Sequence, residues 1–153
     1  VIFDLFNKMI VESTVPNDVT FLILLNACSH GGLLEEGQMY FDIMNNVYCI
    51  RPTPEHYTCM VDLFSRSGHF DKAIAVIETV QSSDRLPLWL VLLGACHKWV
   101  NAEVGMWAFE QSVRMNGECG SAYVFMGNIY IAADMHGEAD RINCLRVSNE
   151  EII

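Results

Sequence analysis

The chain has 153 residues, 52% hydrophobic and 18% charged, with 19 acidic against 9 basic side chains and a formal net charge of -10. That balance excludes a generic polyanion clamp, because affinity for a phosphate backbone rests on Lys and Arg displacing counterions. The longest apolar runs, 21–25 and 88–96, fall far short of the ~20 residues that a bilayer-spanning helix needs, and no secretory segment is evident.

In chain order, Ile2, Phe3, Leu5, Phe6, Met9 and Ile10 form a helical stripe with Asp4, Asn7 and Lys8 opposite. Phe6 and Met9 match Phe41 and Met44, 35 residues on. The stretch therefore reads as the second helix of a hairpin whose first helix is missing, and the chain as a piece of a longer protein. Pro16-Asn17-Asp18 follows, with Asp18 or Asn17 as N-cap. A helix is expected over 19–29, then a turn at His30-Gly31-Gly32, then a helix from Leu34 to about Asn46. Arg51-Pro52-Thr53-Pro54 is a linker that no helix crosses. Helices over 55–66 and 70–80 flank Ser67-Gly68, and Gln81 to Asp84 with Pro87 make the next break. Residues 88–98 pair with 102–115; a loop at 116–120 leads to 121–133, which pairs with 137–147. The tail from Ser148 carries little pattern.

Leu24-Leu25-Asn26-Ala27-Cys28 returns 68 residues later as Leu92-Leu93-Gly94-Ala95-Cys96. Looser copies stand at Met60 to Phe64 and Met126 to Tyr130. Gly37, Ala73, Gly105 and Ala139 are 36, 32 and 34 apart. A period near thirty-four signifies stacked helical hairpins. The expected fold is all-α, a right-handed solenoid of antiparallel hairpins. The small residues lie early in each second helix, where a missing side chain permits close approach; Phe41, Ile77 and Phe109 follow four positions later on the same face. The six cysteines form no C-x-x-C pair, and Cys28 and Cys96 sit among apolar neighbours, so they read as reduced structural thiols.

The spacing alone fits tetratricopeptide or pentatricopeptide repeats. The segments Pro16 to Phe21, Leu24 to Leu33 with Glu35-Glu36-Gly37, and Pro54 to Leu63 closely resemble a plant pentatricopeptide repeat protein of the PLS class. Trp89, Leu92 to Cys96, Asn101, Glu103, Tyr123-Val124 and Asn128-Ile129-Tyr130 resemble its C-terminal E region. The resemblance divides the chain into the end of a truncated repeat (1–18), repeats at 19–54 and 55–86, and degenerate E-region repeats at 87–120 and 121–153. It fails after Met135, where Ala139-Asp140-Arg141-Ile142-Asn143-Cys144 replaces the usual basic close.

What the resemblance implies is single-stranded RNA binding, one base per repeat, each read by the fifth residue of the first helix and the last residue of the repeat. Carried over, the readers are Ile23 with Pro54, Cys59 with Leu86, and Asp18 alone from the truncated repeat. Asp18 also reads as a helix N-cap, and the two roles are compatible. None of the pairs suits a Watson–Crick edge, so the segment is expected to make edge contacts at most and to dock partner proteins beside RNA bound by repeats outside it. The resemblance further implies a site-recognition factor for cytidine-to-uridine editing in a mitochondrion or chloroplast, with editing-complex proteins including a deaminase supplied in trans. No cofactor, metal, membrane or small-molecule substrate is expected. His136-Gly137-Glu138 is formally the H-x-E of a zinc deaminase, but no C-x-x-C follows it, so no catalytic residue is expected. The other reading is a protein-interaction solenoid that does not touch RNA.

Overall fold

A computed structural model describes residues 1–150, with the side chain of Glu150 outside the described set; among the described residues every regular element is helical. The elements are α1 (Ile2–Val11), α2 (Asp18–Gly31), α3 (Leu34–Asp42), α4 (Pro54–Arg66), α5 (Phe70–Thr79), α6 (Leu86–Trp99), α7 (Ala102–Met115), α8 (Gly120–Ala132) and α9 (His136–Glu150). The end of the expected last unit, 151–153, lies outside the described residues. Helices α2/α3, α4/α5, α6/α7 and α8/α9 form successive hairpins. Their first members, α2, α4, α6 and α8, pack side by side, while the second members lean on that layer rather than on one another. Close packing on one side and divergence on the other curve the array, with the first helices on the inner face. The fold is the expected all-α solenoid of helical hairpins. No helix among the described residues is long and apolar enough to cross a membrane.

Three features of the helix starts sharpen the expectations. Asn17, not Asp18, caps α2: its Oδ1 accepts the Thr20 N–H at 2.9 Å, and Asp18 is the first residue inside the helix. There its carboxylate meets the positive end of the helix dipole. Pro87, expected to lie in a break, sits in the first turn of α6. The N–H groups of a first turn have no intrahelical partner, so a proline there forfeits nothing. Pro54 opens α4 for the same reason. Behind it, buried His56 accepts the Thr53 N–H at Nδ1, 3.1 Å away. Its Nε2 therefore carries the proton, which it donates to the Asp18 carbonyl at 2.9 Å. One imidazole thus closes the start of α4 and fastens it to the start of α2.

The ends of the inner helices repeat one device. Gly32, Gly68, Val100 and Asp134 are all left-handed, with φ of 65°, 79°, 51° and 61°, and are spaced 36, 32 and 34 residues apart. The N–H of each following residue reaches back to Cys28, Phe64, Cys96 and Tyr130 at 2.9, 2.9, 3.0 and 2.8 Å. This is the Schellman closure that favours glycine. The outer helices end differently. α3 widens into a π-helical turn over Ile43–Val47, and Tyr48 then packs on Phe21. Past α5, the Arg85 guanidinium donates to the Glu78 and Val80 carbonyls at 2.7 and 2.8 Å.

The periodic small residues sit where each outer helix is wedged between two inner ones. A Cβ added to Gly37 would lie 2.3 Å from Leu63 Cδ2 and 3.3 Å from Cys28 Cβ. At Gly105 it would lie 2.9 Å from Ile129 Cδ1 and 3.5 Å from Cys96 Cβ. Four residues on, aromatic rings bridge each hairpin to the next: Phe41 meets Tyr57 at 5.8 Å and Phe109 meets Tyr123 at 5.1 Å. Phe6 of α1 meets Phe21 at 5.8 Å in the same relation, so α1 stands toward α2 as α3 stands toward α4. At the remaining junction, between α5 and α6, Ile77 is aliphatic; the nearby ring pair, Trp89 with Trp107, lies within the α6/α7 hairpin.

Candidate nucleic-acid interface

In a helix, residues offset by four, seven and eleven lie along one stripe. Applied to the inner helices, this stripe holds Val19, Ile23, Asn26 and His30 in α2 and Glu55, Cys59, Asp62 and Arg66 in α4. It continues as Pro87, Val91, Gly94 and Lys98 in α6, then Ser121, Phe125, Asn128 and Ala132 in α8. None of these sixteen residues is buried, although each helix packs on three or four others. The stripes together form a continuous accessible inner face.

The residues expected to read RNA fall into two rows. Ile23 and Cys59 lie on the stripe. Ile23 is 51% exposed and, with Ile2, Leu5, Met9 and Val19, lines an apolar groove of about 410 Å³ between α1 and α2. Cys59 is half-buried; burial, reinforced by the Asp62 charge, pushes its thiol up to about 11. It is neutral at ordinary pH and at most a weak hydrogen-bond donor. Asp18, Pro54 and Leu86 occupy the first position of α2, α4 and α6, about 140° around the helix from Ile23, Cys59 and Val91 respectively. Asp18 and Pro54 are exposed and Leu86 is half-buried. The geometry thus assembles an accessible face, and its expected readers are mostly apolar.

Sequence reasoning missed the row at the far end of the stripe. His30, Arg66 and Lys98 recur 36 and 32 residues apart, the spacing of the glycine rows, and that spacing was the signal that finds them. Each sits near the C-terminal end of its helix, where a cation is favoured by the dipole. Arg66 Nε contacts Asp62 Oδ1 at 2.8 Å, and Asp62 also accepts from Ser29 of the neighbouring α2. Lys98 Nζ lies 5.8 Å from the ring centroid of its neighbour Trp99.

Net charge also conceals a segregation. The inner helices carry Asp18, Glu55 and Asp62 against Arg66 and Lys98, close to balance, whereas the outer helices α3, α5, α7 and α9 carry ten acidic and four basic residues. The acidity implied by composition therefore lies mainly on the outer layer. At the end of the array, exposed His136 lies 2.9 Å from Asp134, and Glu138 accepts from Arg141 at 3.2 Å. Among the described residues no three His, Cys, Asp or Glu side chains converge as a metal site.

Comparison with known proteins agrees with this architecture. The pentatricopeptide repeat family model, described as PPR repeat, matches residues 19–49 and 55–84. The chain is 40% identical over 140 residues to the mitochondrial pentatricopeptide repeat-containing protein At5g40410 of Arabidopsis thaliana, covering 92% of the chain and 23% of that protein. It is 40% identical over 141 residues to the mitochondrial pentatricopeptide repeat-containing protein At4g19191 of the same plant, covering 92% and 22%. A third relative there, pentatricopeptide repeat-containing protein At2g33680, is 37% identical over 139 residues, covering 91% and 19%. The chain thus spans about a fifth of the length of the relatives it matches.

Proposed function

Because residues 19–49 and 55–84 match the pentatricopeptide repeat family model, we propose that this segment is the C-terminal, non-catalytic part of a sequence-specific RNA-binding protein of the PLS class. In this reading 19–54 and 55–86 are repeats, 1–18 ends a preceding one, and 87–120 and 121–153 form an E region. The protein acts as a site-recognition factor for cytidine-to-uridine editing in a mitochondrion or chloroplast, with a deaminase recruited in trans. The observation that carries the proposal is the accessible inner stripe with its row of His30, Arg66 and Lys98, set apart from the acidic outer layer. A single strand laid along that face meets the Arg66 and Lys98 cations at one edge and the row of Ile23, Cys59, Val91 and Phe125 beside them. The apolar character of the expected readers Ile23, Cys59, Pro54 and Leu86 assigns most of the sequence discrimination to other repeats. Asp18, with an exposed carboxylate, is the reader best able to accept from a base N–H.

The second reading, a solenoid that docks proteins without touching RNA, is favoured by those apolar positions and the net charge of -10. A gel shift of the chain with single-stranded RNA separates the two. Submicromolar binding at physiological salt sinks the scaffold reading; no shift even at low salt, with helical content intact by circular dichroism, sinks RNA binding by this segment. The editing assignment is tested by transcript sequencing in plants lacking the full protein. It predicts loss of C-to-U conversion at discrete organellar sites, and unaltered conversion everywhere contradicts it.

A further inference from the structure

On the outer layer α7 and α9 diverge and leave a groove of about 680 Å³ between them. We infer that this groove seats a basic amphipathic helix of a partner protein, an inference that rests on the partner recruitment in the reading above. The helix would lay its apolar stripe on Met106, Phe109, Ile142 and Leu145 and turn its cations toward Glu110, Glu138 and Asp140. The inner stripe is left free for the RNA.

Shape supplies the first argument. The α9 wall of the groove runs from Glu138 to Ser148, about 15 Å at the helical rise of 1.5 Å per residue. A trough that long between two helices fits the apolar face of a third, anchored at i, i+3, i+4 and i+7. Its floor is apolar, since Ile142 and Phe109 are 5% and 8% exposed. Leu145, on the rim, is 54% exposed, so an apolar side chain already stands beside the trough with much of its surface left to cover.

Charge supplies the second. Glu110 on one wall, with Glu138 and Asp140 on the other, outnumber Arg141, which Glu138 already engages at 3.2 Å. Among the described residues neither Glu110 nor Asp140 forms an ion pair, and both are exposed. Buried Tyr130 of α8 marks where the walls converge: burial, then the Glu138 and Glu110 charges, push its phenol up.

These charges select the occupant. A strand of RNA would meet like charge there, and so would a second copy of this chain, whose net charge is -10. A basic helix meets complementary charge, which steers its approach and fixes its register while the apolar contacts hold it. The acidic wall also belongs to this chain in particular, because α9 contains Ala139 to Cys144, where the resemblance to the family gives out.

The test is titration of the full chain against a fluorescein-labelled leucine–lysine peptide of about 18 residues, its leucines at i, i+3, i+4 and i+7. A scrambled peptide of the same composition and a leucine–glutamate counterpart run beside it. The wild type is expected to bind the patterned peptide more tightly than either. Leu145→Ala should weaken binding about four- to fifteenfold, from the apolar surface no longer covered. Glu110→Gln/Asp140→Asn should weaken it with a shallower salt dependence. Glu35→Gln/Glu36→Gln, which removes the same charge from α3, should bind as wild type does. All the altered side chains but Leu145 are charged and exposed, and circular dichroism checks that each variant keeps its helices. Equal binding of the scrambled peptide, or an equal loss in the α3 variant, reduces the attraction to net charge and overturns the inference. Tighter binding of the leucine–glutamate peptide overturns it too. So does a dimer in sedimentation equilibrium that Leu145→Ala dissociates, since the occupant is then a second copy. The editing reading stands or falls separately, by transcript sequencing.

Discussion

Gly37 shows how much a single hydrogen decides in this stack. A methyl group there would overlap Leu63 Cδ2 at 2.3 Å and crowd Cys28 Cβ of α2 at 3.3 Å. Gly37→Ala is therefore expected to destabilise the fold by about 1–3 kcal/mol, the usual cost of overpacking. Gly105→Ala, 2.9 Å from the flexible tip of Ile129, is expected to cost less. Gly94→Ala, with only ordinary contacts, is expected to be neutral or to gain up to about 1 kcal/mol from helix propensity. Urea denaturation of the three variants checks the order, and an equal effect at all three sites contradicts it. The left-handed row makes the opposite forecast. Val100 is a β-branched residue at φ 51° where two other inner helices place glycine, a conformation that costs about 1–2 kcal/mol for an L-residue. Val100→Gly should raise the melting temperature despite the loss of a side chain.

At the scale of helices, the array is tied together at the ends of its inner members. His56 links the starts of α2 and α4 through the Thr53 N–H and the Asp18 carbonyl. His56→Ala leaves both groups unpaired beside a cavity, and a loss of about 2–4 kcal/mol is expected from two broken hydrogen bonds and lost packing. Hydrogen exchange should show the loss first in the opening turns of α2 and α4; protection lost uniformly along the chain contradicts that localisation. Much of this level was legible in the sequence. Small residues spaced by 36, 32 and 34 located the hairpins because each must fit the same wedge between two inner helices. The helix starts were less legible. Asn17 and Asp18 are both good capping residues, and only backbone geometry chooses between them. Pro87 reads as a breaker in a linear sequence but is harmless in a first turn. The Arg85 clamp was invisible, since its acceptors are backbone carbonyls with no sequence signature. The candidate site was half legible. Its stripe follows from periodicity, whereas the expected readers Asp18, Pro54 and Leu86 turned out to lie on a different face from Ile23 and Cys59.

Over the whole molecule, two distributed properties matter. The first is the set of neutral thiols in the stack. Burial pushes Cys28 and Cys59 up to about 11 and Cys96 up to about 12, each from a starting value of 9.0. A raised folded pKa means that the folded state holds the proton that the unfolded chain releases. Stability is thus fully present below about pH 9 and falls as pH rises through the folded values. Urea midpoints should stay level from pH 7 to 8.5 and drop between pH 9 and 11, with a shallower drop in Cys28→Ala and Cys96→Ala. A drop of the same steepness in both variants contradicts the assignment.

The second property is charge segregation. Net charge summed over the chain argues against RNA, and only the fold shows that the acids lie mainly on the outer helices while His30, Arg66 and Lys98 share the inner face. The most direct test of the account is the salt dependence of single-stranded RNA binding by the chain and by its Arg66→Ala/Lys98→Ala variant. The account predicts that the wild type weakens with salt, and that the variant binds more weakly with a slope reduced by about 1.4, roughly 0.7 for each phosphate contact removed. Superimposable salt curves for the two proteins would show that RNA does not follow the inner face.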